Sequence, residues 1–312
     1  MQGHGTRLAS LLLVAAMLCG CPPPGGDGED GGGHDGGDEP TGDAEGDRDG
    51  EPRDRAPVRV MTWNLENFPL AAGSIDAVAS IILESDADVV GVQELSDQGA
   101  FETLVGALPG YDGLLADDAD AFYRAGIVYR ADRIAVIDTK LLFENESYAF
   151  PRPVLKATVR ARGGDGATDF DFTFLVLHLK AQVDAESESR RRAACSRLHE
   201  WMATELQTTP EQDIVAVGDW NDELTDAPAD NVFQALLDRP QIYTFLTMPL
   251  AEQGAVSYLP YDRLIDHVLV TASALEDYGQ GQTAVLEPDR TVVNYRGVVS
   301  DHRPVLATFD LP

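Results

Sequence analysis

The sequence predicts an α/β domain in which two packed sheets are flanked by helices. Three observations carry that prediction. From Val58 onward, short apolar and β-branched runs alternate with amphipathic stretches of helical period. The helical stretches fall in two batches around a strand-rich middle, the arrangement expected when helices cover sheets rather than one another. No internal repeat interrupts residues 56–312, a length suited to one large domain.

The elements follow in order. "VRVMTWNLE" (from Val58) alternates apolar and polar residues as a half-buried strand does. "SIDAVASIILES" opens on Ser74, read as a helix cap, and keeps a helical period. "DVVGVQEL" is a buried strand, and "DQGAFETLVGAL" reads as a second helix. The middle supplies strands at "AGIVYR", "RIAVIDTKLL", "PVLKATVRA" and "DFTFLVLHLK". A long helix follows over about Glu186 to Leu206, carrying Cys195 as a small core residue. Then come the strand "DIVAVGDWND", a short helix near "DNVFQALLD", and the closing strands "RLIDHVLVT", "TAVLE" and "RPVLATFDL".

The first 55 residues belong to no fold. Arg7 precedes "LASLLLVAAML", too short to span a bilayer, and residues 1–20 read as a secretory signal. Its ending "LCGC" resembles a bacterial lipobox, with Gly20 before the cut and Cys21 as the lipidated first residue. An ordinary cleaved signal without lipid is the alternative. The expected location is the cell envelope after export, with Pro22 after the lipidated Cys21 pointing to an outer membrane in a two-membrane cell. Residues 21–55 are Gly, Pro and Asp with almost nothing apolar, so they cannot bury a core and read as a disordered tether.

Charge excludes a class of partner. The chain carries a formal net charge of −30, and after the tether and Arg7 are set aside 41 acids face 19 bases in residues 56–312. A nonspecific nucleic-acid binder shows the opposite balance, so phosphate chemistry here would need bound cations. The lone Cys195 of the domain can neither staple the fold nor build a thiolate metal site.

Chemistry gathers where strands end. "GDWND" finishes the apolar run "DIVAV", placing Asp219 and Asn221 on one face and Trp220 on the other. On these residues alone an Asx-type turn is the simpler reading. But "MTWNLEN" ends with Asn64 and Glu66 on one face, "VVGVQEL" delivers Glu94, and "FLVLHLK" delivers His178 and Lys180. "RLIDHVLV" buries Asp266 in an apolar strand, where a carboxylate needs a partner. "VVSDHRPV" sets Asp301 and His302 ahead of the last strand.

The ordered series "WNLEN", "VQE", "HLK", "GDWN", "IDH" and "SDHRP" resembles the endonuclease/exonuclease/phosphatase superfamily, deoxyribonuclease I-like, from about Val58 to Leu311. The resemblance implies a four-layer α-β-β-α sandwich of two mixed sheets and a metal-dependent phosphoesterase, with Mg²⁺ expected and Mn²⁺ or Ca²⁺ as alternatives. It implies Glu94 as the main metal ligand, with Asn64 and Asp301 beside it. Asp219 would orient or deprotonate the attacking water, and Asn221 would donate to a phosphate oxygen. His302 would be the base, oriented by Asp266, and His178 would stabilise the transition state or serve the leaving group. Arg152 in "FPRPVL" matches a family Arg near substrate phosphate, and Lys180 could contact phosphate as well. One departure stands out. Deoxyribonuclease I pairs its first His with a Glu whose place here falls near Tyr123 and Arg124, so no acid supports His178.

The expected activity is a cell-surface nuclease acting on DNA or RNA as a monomer. The alternatives are a sphingomyelinase-like or phosphoinositide-type phosphoesterase, or a binding lipoprotein without catalysis. "IYTFLTMPL" reads as a core strand in preference to a membrane-seeking hairpin. Arg190, Arg191 and Arg192 read as a solvated helix face, Asp222 as a turn or supporting residue, and His199 and His267 as packing residues.

Overall fold

A computed structural model describes residues 56–117, 123–162 and 168–311. The signal segment, Cys21 and the tether lie outside the described residues. The chain begins with β1 (Val58–Phe68), α1 (Ser74–Ser85), β2 (Val89–Leu95) and α2 (Gln98–Gly106). It continues through β3 (Tyr111–Leu115), β4 (Arg124–Arg130), β5 (Ile134–Leu142), β6 (Val154–Arg162) and β7 (Thr168–His178). Next come α3 (Ala185–Thr208), β8 (Ile214–Asp219), α4 (Gln234–Leu237), β9 (Tyr243–Phe245) and α5 (Met248–Glu252). The final elements are β10 (Asp266–Thr271), α6 (Ala272–Tyr278), β11 (Gln282–Val285), α7 (Tyr295–Val298) and β12 (Val305–Phe309).

The strands form two six-stranded sheets, ordered β11-β12-β1-β2-β4-β3 and β5-β6-β7-β8-β10-β9. Both are mixed: β1 with β2 and β7 with β8 run parallel, and the other pairs run antiparallel. The inner faces share one apolar core that includes Val60, Ile127, Phe172, Phe174, Val217 and Phe309. Each large apolar side chain buried this way contributes about 1.5–3 kcal/mol. The outer face of the first sheet packs on α1 and α2 through Trp63, Ile82 and Phe101. The outer face of the second packs on α3 and α4 through Leu198, Met202, Trp220 and Phe233. Four layers, α-β-β-α, result.

Glycine sets two close approaches. A Cβ on Gly91 would lie 2.8 Å from Val176 and 2.9 Å from Val217, so the sheets touch at the centre of the sandwich. Gly218 has φ +153, and a Cβ there would sit 2.0 Å from the Leu177 carbonyl oxygen. Only glycine lets β7 and β8 pair that tightly just before Asp219.

Several local expectations change. Ser74 is not the α1 cap; Gly73 is, with no side-chain cap bond. The Ser74 hydroxyl instead donates to Val298 O at 2.6 Å, tying α1 to α7. Asp97 and Asp184 do cap α2 and α3, accepting from Ala100 N and Ser187 N. Strand β3 was not legible, because its edge position leaves it half-buried and Gly113 interrupts its pattern. The aromatic "IYTFLTMPL" stretch is interior, with Tyr243 and Phe245 buried in β9. Cys195 is fully buried in α3.

The arginine face of α3 is not a solvated one. Arg191 is buried, its Nε 2.8 Å from Asp222 Oδ2, and its Nη1 donates to Lys180 O and Gln182 O. Arg190 donates to the carbonyls of Ser147 and Tyr148, and Arg192 to Asn231 O. These cations splint loops because each can reach a carbonyl row that no helix or ladder uses.

Candidate active site

Sheet register does most of the positioning. Across β7, β8 and β10, His178 pairs with Asp219 and Asp219 with Asp266, so the three side chains leave one sheet edge together. From the other sheet, β1 brings Asn64 beside the Gln93–Glu94 end of β2. The segment before β12 is pinned to β1, because Ser300 Oγ donates to Asn64 O at 2.7 Å and Trp63 Nε1 donates to His302 O at 3.1 Å. Asp301 and His302 are thereby set opposite the ends of β7 and β8.

The strand exits are bent to aim side chains inward. Glu66, Asn67, Glu94 and Asn221 all take positive φ, at 41°, 54°, 60° and 56°. Left-handed backbone at non-glycine residues costs about 1 kcal/mol or more each and concentrates where function requires it. Here it turns all four into one cavity of about 520 Å³, which Asp219, Asp301, His178 and His302 also line.

His302 Nδ1 lies 2.8 Å from Asp266 Oδ2, leaving Nε2 toward the cavity, 3.7 Å from Asp301 and 3.9 Å from Asp219. Asp266 is fully buried and is held in turn by Ser257, whose hydroxyl donates to it at 2.6 Å. Burial by itself lowers the proton affinity of His302. Asp266, Asp219 and Asp301 outweigh it and raise the imidazole to about 10. Burial raises the Asp219 carboxyl to about 7, with His302 opposing and Asp266 adding to the shift. Asp219 accepts from Asn64 Nδ2 at 3.0 Å and from Asn221 N at 2.9 Å.

Burial drives His178 well below the ordinary histidine range, helped by Arg152 and His302, so its ring is neutral. Its Nε2 lies 3.5 Å from Asp219 and 3.7 Å from Glu94. Its Nδ1 is buried and finds no hydrogen-bond partner among the described residues.

Three carboxylates face each other beside this pair. Burial raises Glu66 to about 7, with Asp301 and Glu94 adding to it, and burial with Glu94 also raises Asp301. Glu66 Oε2 is a buried oxygen without a hydrogen-bond partner among the described residues. Glu94 accepts from Asn64 Nδ2 and Asn67 N. No group of three or more His, Cys, Asp or Glu side chains among the described residues stands in ready metal-holding geometry. Yet the mutual repulsion and the orphaned oxygen make Glu66, Glu94 and Asp301 a fit for a hard divalent cation.

Some expected site residues stand elsewhere. Asn64 turns its amide nitrogen to both Glu94 and Asp219, and its oxygen accepts from Glu66 N. It spaces two carboxylates from behind and does not line the cavity. Asn221 does line it, though its Nδ2 donates to Leu179 O at 3.2 Å. Arg152 and Lys180 do not line it. Arg152 Nη1 donates to the carbonyls of His178 and Leu179, and Lys180 Nζ donates to Ala181 O. Asp222 holds Arg191 in place, and its carbonyl oxygen lies 2.9 Å from His267 Nε2.

The sequence reading missed Tyr123, Tyr258, Tyr261 and Arg263 in the lining and Ser257 behind Asp266. Apart from the alternation that put Glu66 beside Asn64, no sequence signal marked the remaining carboxylate or these loop residues.

The family model for the Endonuclease/Exonuclease/phosphatase family matches residues 61–302. No curated protein sequence matches the chain. Among solved structures, the human Nocturnin catalytic domain with bound sulfate superposes with a TM-score of 0.60 at 16% identity, covering 83% of this chain and 96% of that one. A mannosyl-6-phosphatase of Bacteroides thetaiotaomicron VPI-5482 gives 0.58 at 17% identity, covering 80% and 98%. An endonuclease/exonuclease/phosphatase from Bacteroides vulgatus gives 0.58 at 20%, covering 83% and 100%. At these identities the structures speak for the fold, while the family match spans the strand exits from Asn64 to His302. The chain belongs to the endonuclease/exonuclease/phosphatase family.

Proposed function

We propose that the chain is an exported, divalent-metal-dependent phosphoesterase. One observation carries this reading: Glu66, Glu94, Asp219 and Asp301 converge with His178 and His302 on one cavity. So many acids would repel a phosphate unless a cation offset them, and hard oxygens suit Mg²⁺ or Mn²⁺. Glu66, Glu94 and Asp301 would hold it, and when bound it supplies charge neutralisation on the non-bridging phosphate oxygens.

The protein's own groups do the rest. Asp219, with its carboxyl near neutrality, accepts a proton from the attacking water or orients it. His302 Nε2 faces the cavity and holds or passes a second proton, while Asp266 fixes the tautomer through Nδ1. Its raised proton affinity comes first from Asp266 and then from Asp219 and Asp301, so it falls part of the way once the charge of the latter two is neutralised. Neutral His178 donates a hydrogen bond to developing negative charge.

The nuclease reading rests on the motif series and on Arg152 and Lys180 as phosphate contacts. Both cations are turned into carbonyls, and the domain is strongly acidic, so a small phosphoester fits the cavity better than a long polyanion. A mannosyl-6-phosphatase among the structural neighbours is consistent with small-ester chemistry on this fold. The test is hydrolysis with Mg²⁺ of plasmid DNA, RNA, sphingomyelin, a chromogenic diester and sugar phosphates. Turnover of at least one should vanish in excess chelator, return with Mg²⁺ or Mn²⁺, and drop by roughly a hundredfold or more in Glu94→Ala. Full activity in chelator would overturn the proposal.

A further inference from the structure

A line of rings leads outward from the catalytic histidine. The Tyr258 ring lies 4.8 Å from the His302 ring, tilted by 41°, and the Tyr261 ring lies 5.8 Å from Tyr258, tilted by 37°. All three line the cavity, and Tyr261 is 72% exposed at its rim. On the same cavity Val183 is 81% exposed. Single exposed apolar residues need no explanation. Two large ones on one catalytic cavity, one of them ending a stair of rings, form a surface that a ligand would complete.

Hydrogen bonds hold the backbone of both walls. Tyr258 and Arg263 exchange backbone hydrogen bonds at 2.8 and 3.2 Å, closing a tight loop that holds Tyr261 at its tip. Pro260 and a positive φ of 52° at Asp262 fix the tip further. The Val183 side is held from beneath by buried Arg191, which donates to Lys180 O and Gln182 O. A backbone already held in place lowers the ordering cost of binding, which is how aromatic subsites gain affinity.

Resting on the phosphoesterase reading, we propose that Tyr261, backed by Tyr258 and with Val183 on the same cavity, is a subsite for one flat-faced ring carried by the alcohol group esterified to the reacting phosphate. The ring is a nucleobase or a sugar, since both offer a face to an aromatic side chain. A polymer is disfavoured because 41 acids against 19 bases in residues 56–312 would repel its further phosphates. A lipid chain is disfavoured because, among the described residues that line the cavity, the large apolar side chains left exposed are Tyr261 and Val183.

The test uses the full-chain protein with Mg²⁺ and four ligands: adenosine monophosphate, glucose 6-phosphate, glycerol 3-phosphate and inorganic phosphate. Calorimetry gives dissociation constants, and phosphate release gives kcat and KM. Tyr261→Ala should weaken one or both ring-bearing ligands about tenfold and leave glycerol 3-phosphate and phosphate unchanged, while Tyr261→Trp keeps the affinity. The ligand more strongly affected identifies the ring as base or sugar. Val183→Ser should weaken the same ligand by a smaller factor. Equal loss for ringed and ringless ligands, or no preference for rings in the wild type, overturns the subsite. Ring discrimination without turnover of any ester leaves the subsite standing and defeats the phosphoesterase reading. Turnover insensitive to Tyr261→Ala does the reverse.

Discussion

Removing the His302 imidazole should separate the two jobs of the Asp266–His302 pair. Asp266 is fully buried, and its carboxylate has His302 Nδ1 at 2.8 Å and Ser257 Oγ at 2.6 Å as partners. His302→Ala leaves that charge with Ser257 alone. Breaking a buried pair from one side costs about 3–5 kcal/mol, and the remaining serine bond places this case near 3 kcal/mol. Asp266→Ala leaves His302 Nδ1 without its acceptor, a loss of about 1–3 kcal/mol. The double variant removes both groups, so its stability should exceed the additive expectation by about 0.5–3 kcal/mol. Turnover should behave differently. His302→Ala should lower kcat by roughly a hundredfold or more, and adding Asp266→Ala should lower it little further, because the carboxylate acts through the imidazole. Denaturant unfolding and steady-state kinetics with Mg²⁺ on the best substrate measure the two cycles. Losses that multiply in kcat, or add in stability, would refute the pairing argument.

Other perturbations test the scaffold and the address. Gly218→Ala should lower unfolding free energy by about 3 kcal/mol or more by denaturant titration, since a Cβ there meets the Leu177 carbonyl at 2.0 Å. A loss under 1 kcal/mol would show that β7 and β8 can part without harm. His267 is buried beside Thr247 and the Asp222 carbonyl, and burial lowers its pKa to about 4. The unfolded chain therefore binds more protons between about pH 6.5 and 4, and stability falls as pH drops through that window. Relative to His267→Gln, the wild type should lose on the order of 3 kcal/mol from pH 7 to 4, and parallel curves would contradict this. Cys21→Ala should abolish lipid labelling and release the protein from membrane fractions, and a wild type that is soluble and unlabelled would end the lipoprotein reading.

The sequence by itself determined the elements whose signal is local. β1, β2, β7 and β8 announce themselves through apolar alternation or apolar runs, and the ends of these strands already carried Asn64, Glu94, His178 and Asp219. The order of those strand ends was enough to indicate the family that the match over residues 61–302 shows. What the chain could not state is which atom of each side chain meets which neighbour. Asn64 reads as a metal ligand until register sets its amide nitrogen between Glu94 and Asp219. Lys180 reads as a phosphate contact until its ammonium is seen on Ala181 O. Arg191 reads as a solvated helix residue until α3 docks and buries it against Asp222. Ser257, Tyr258 and Tyr261 lie in a loop with no periodicity, so only closure of that loop against His302 places them at the site. Periodicity is a property of neighbours along the chain. Hydrogen-bond partners and loop positions depend on residues far apart in sequence, and only packing the two sheets face to face selects them.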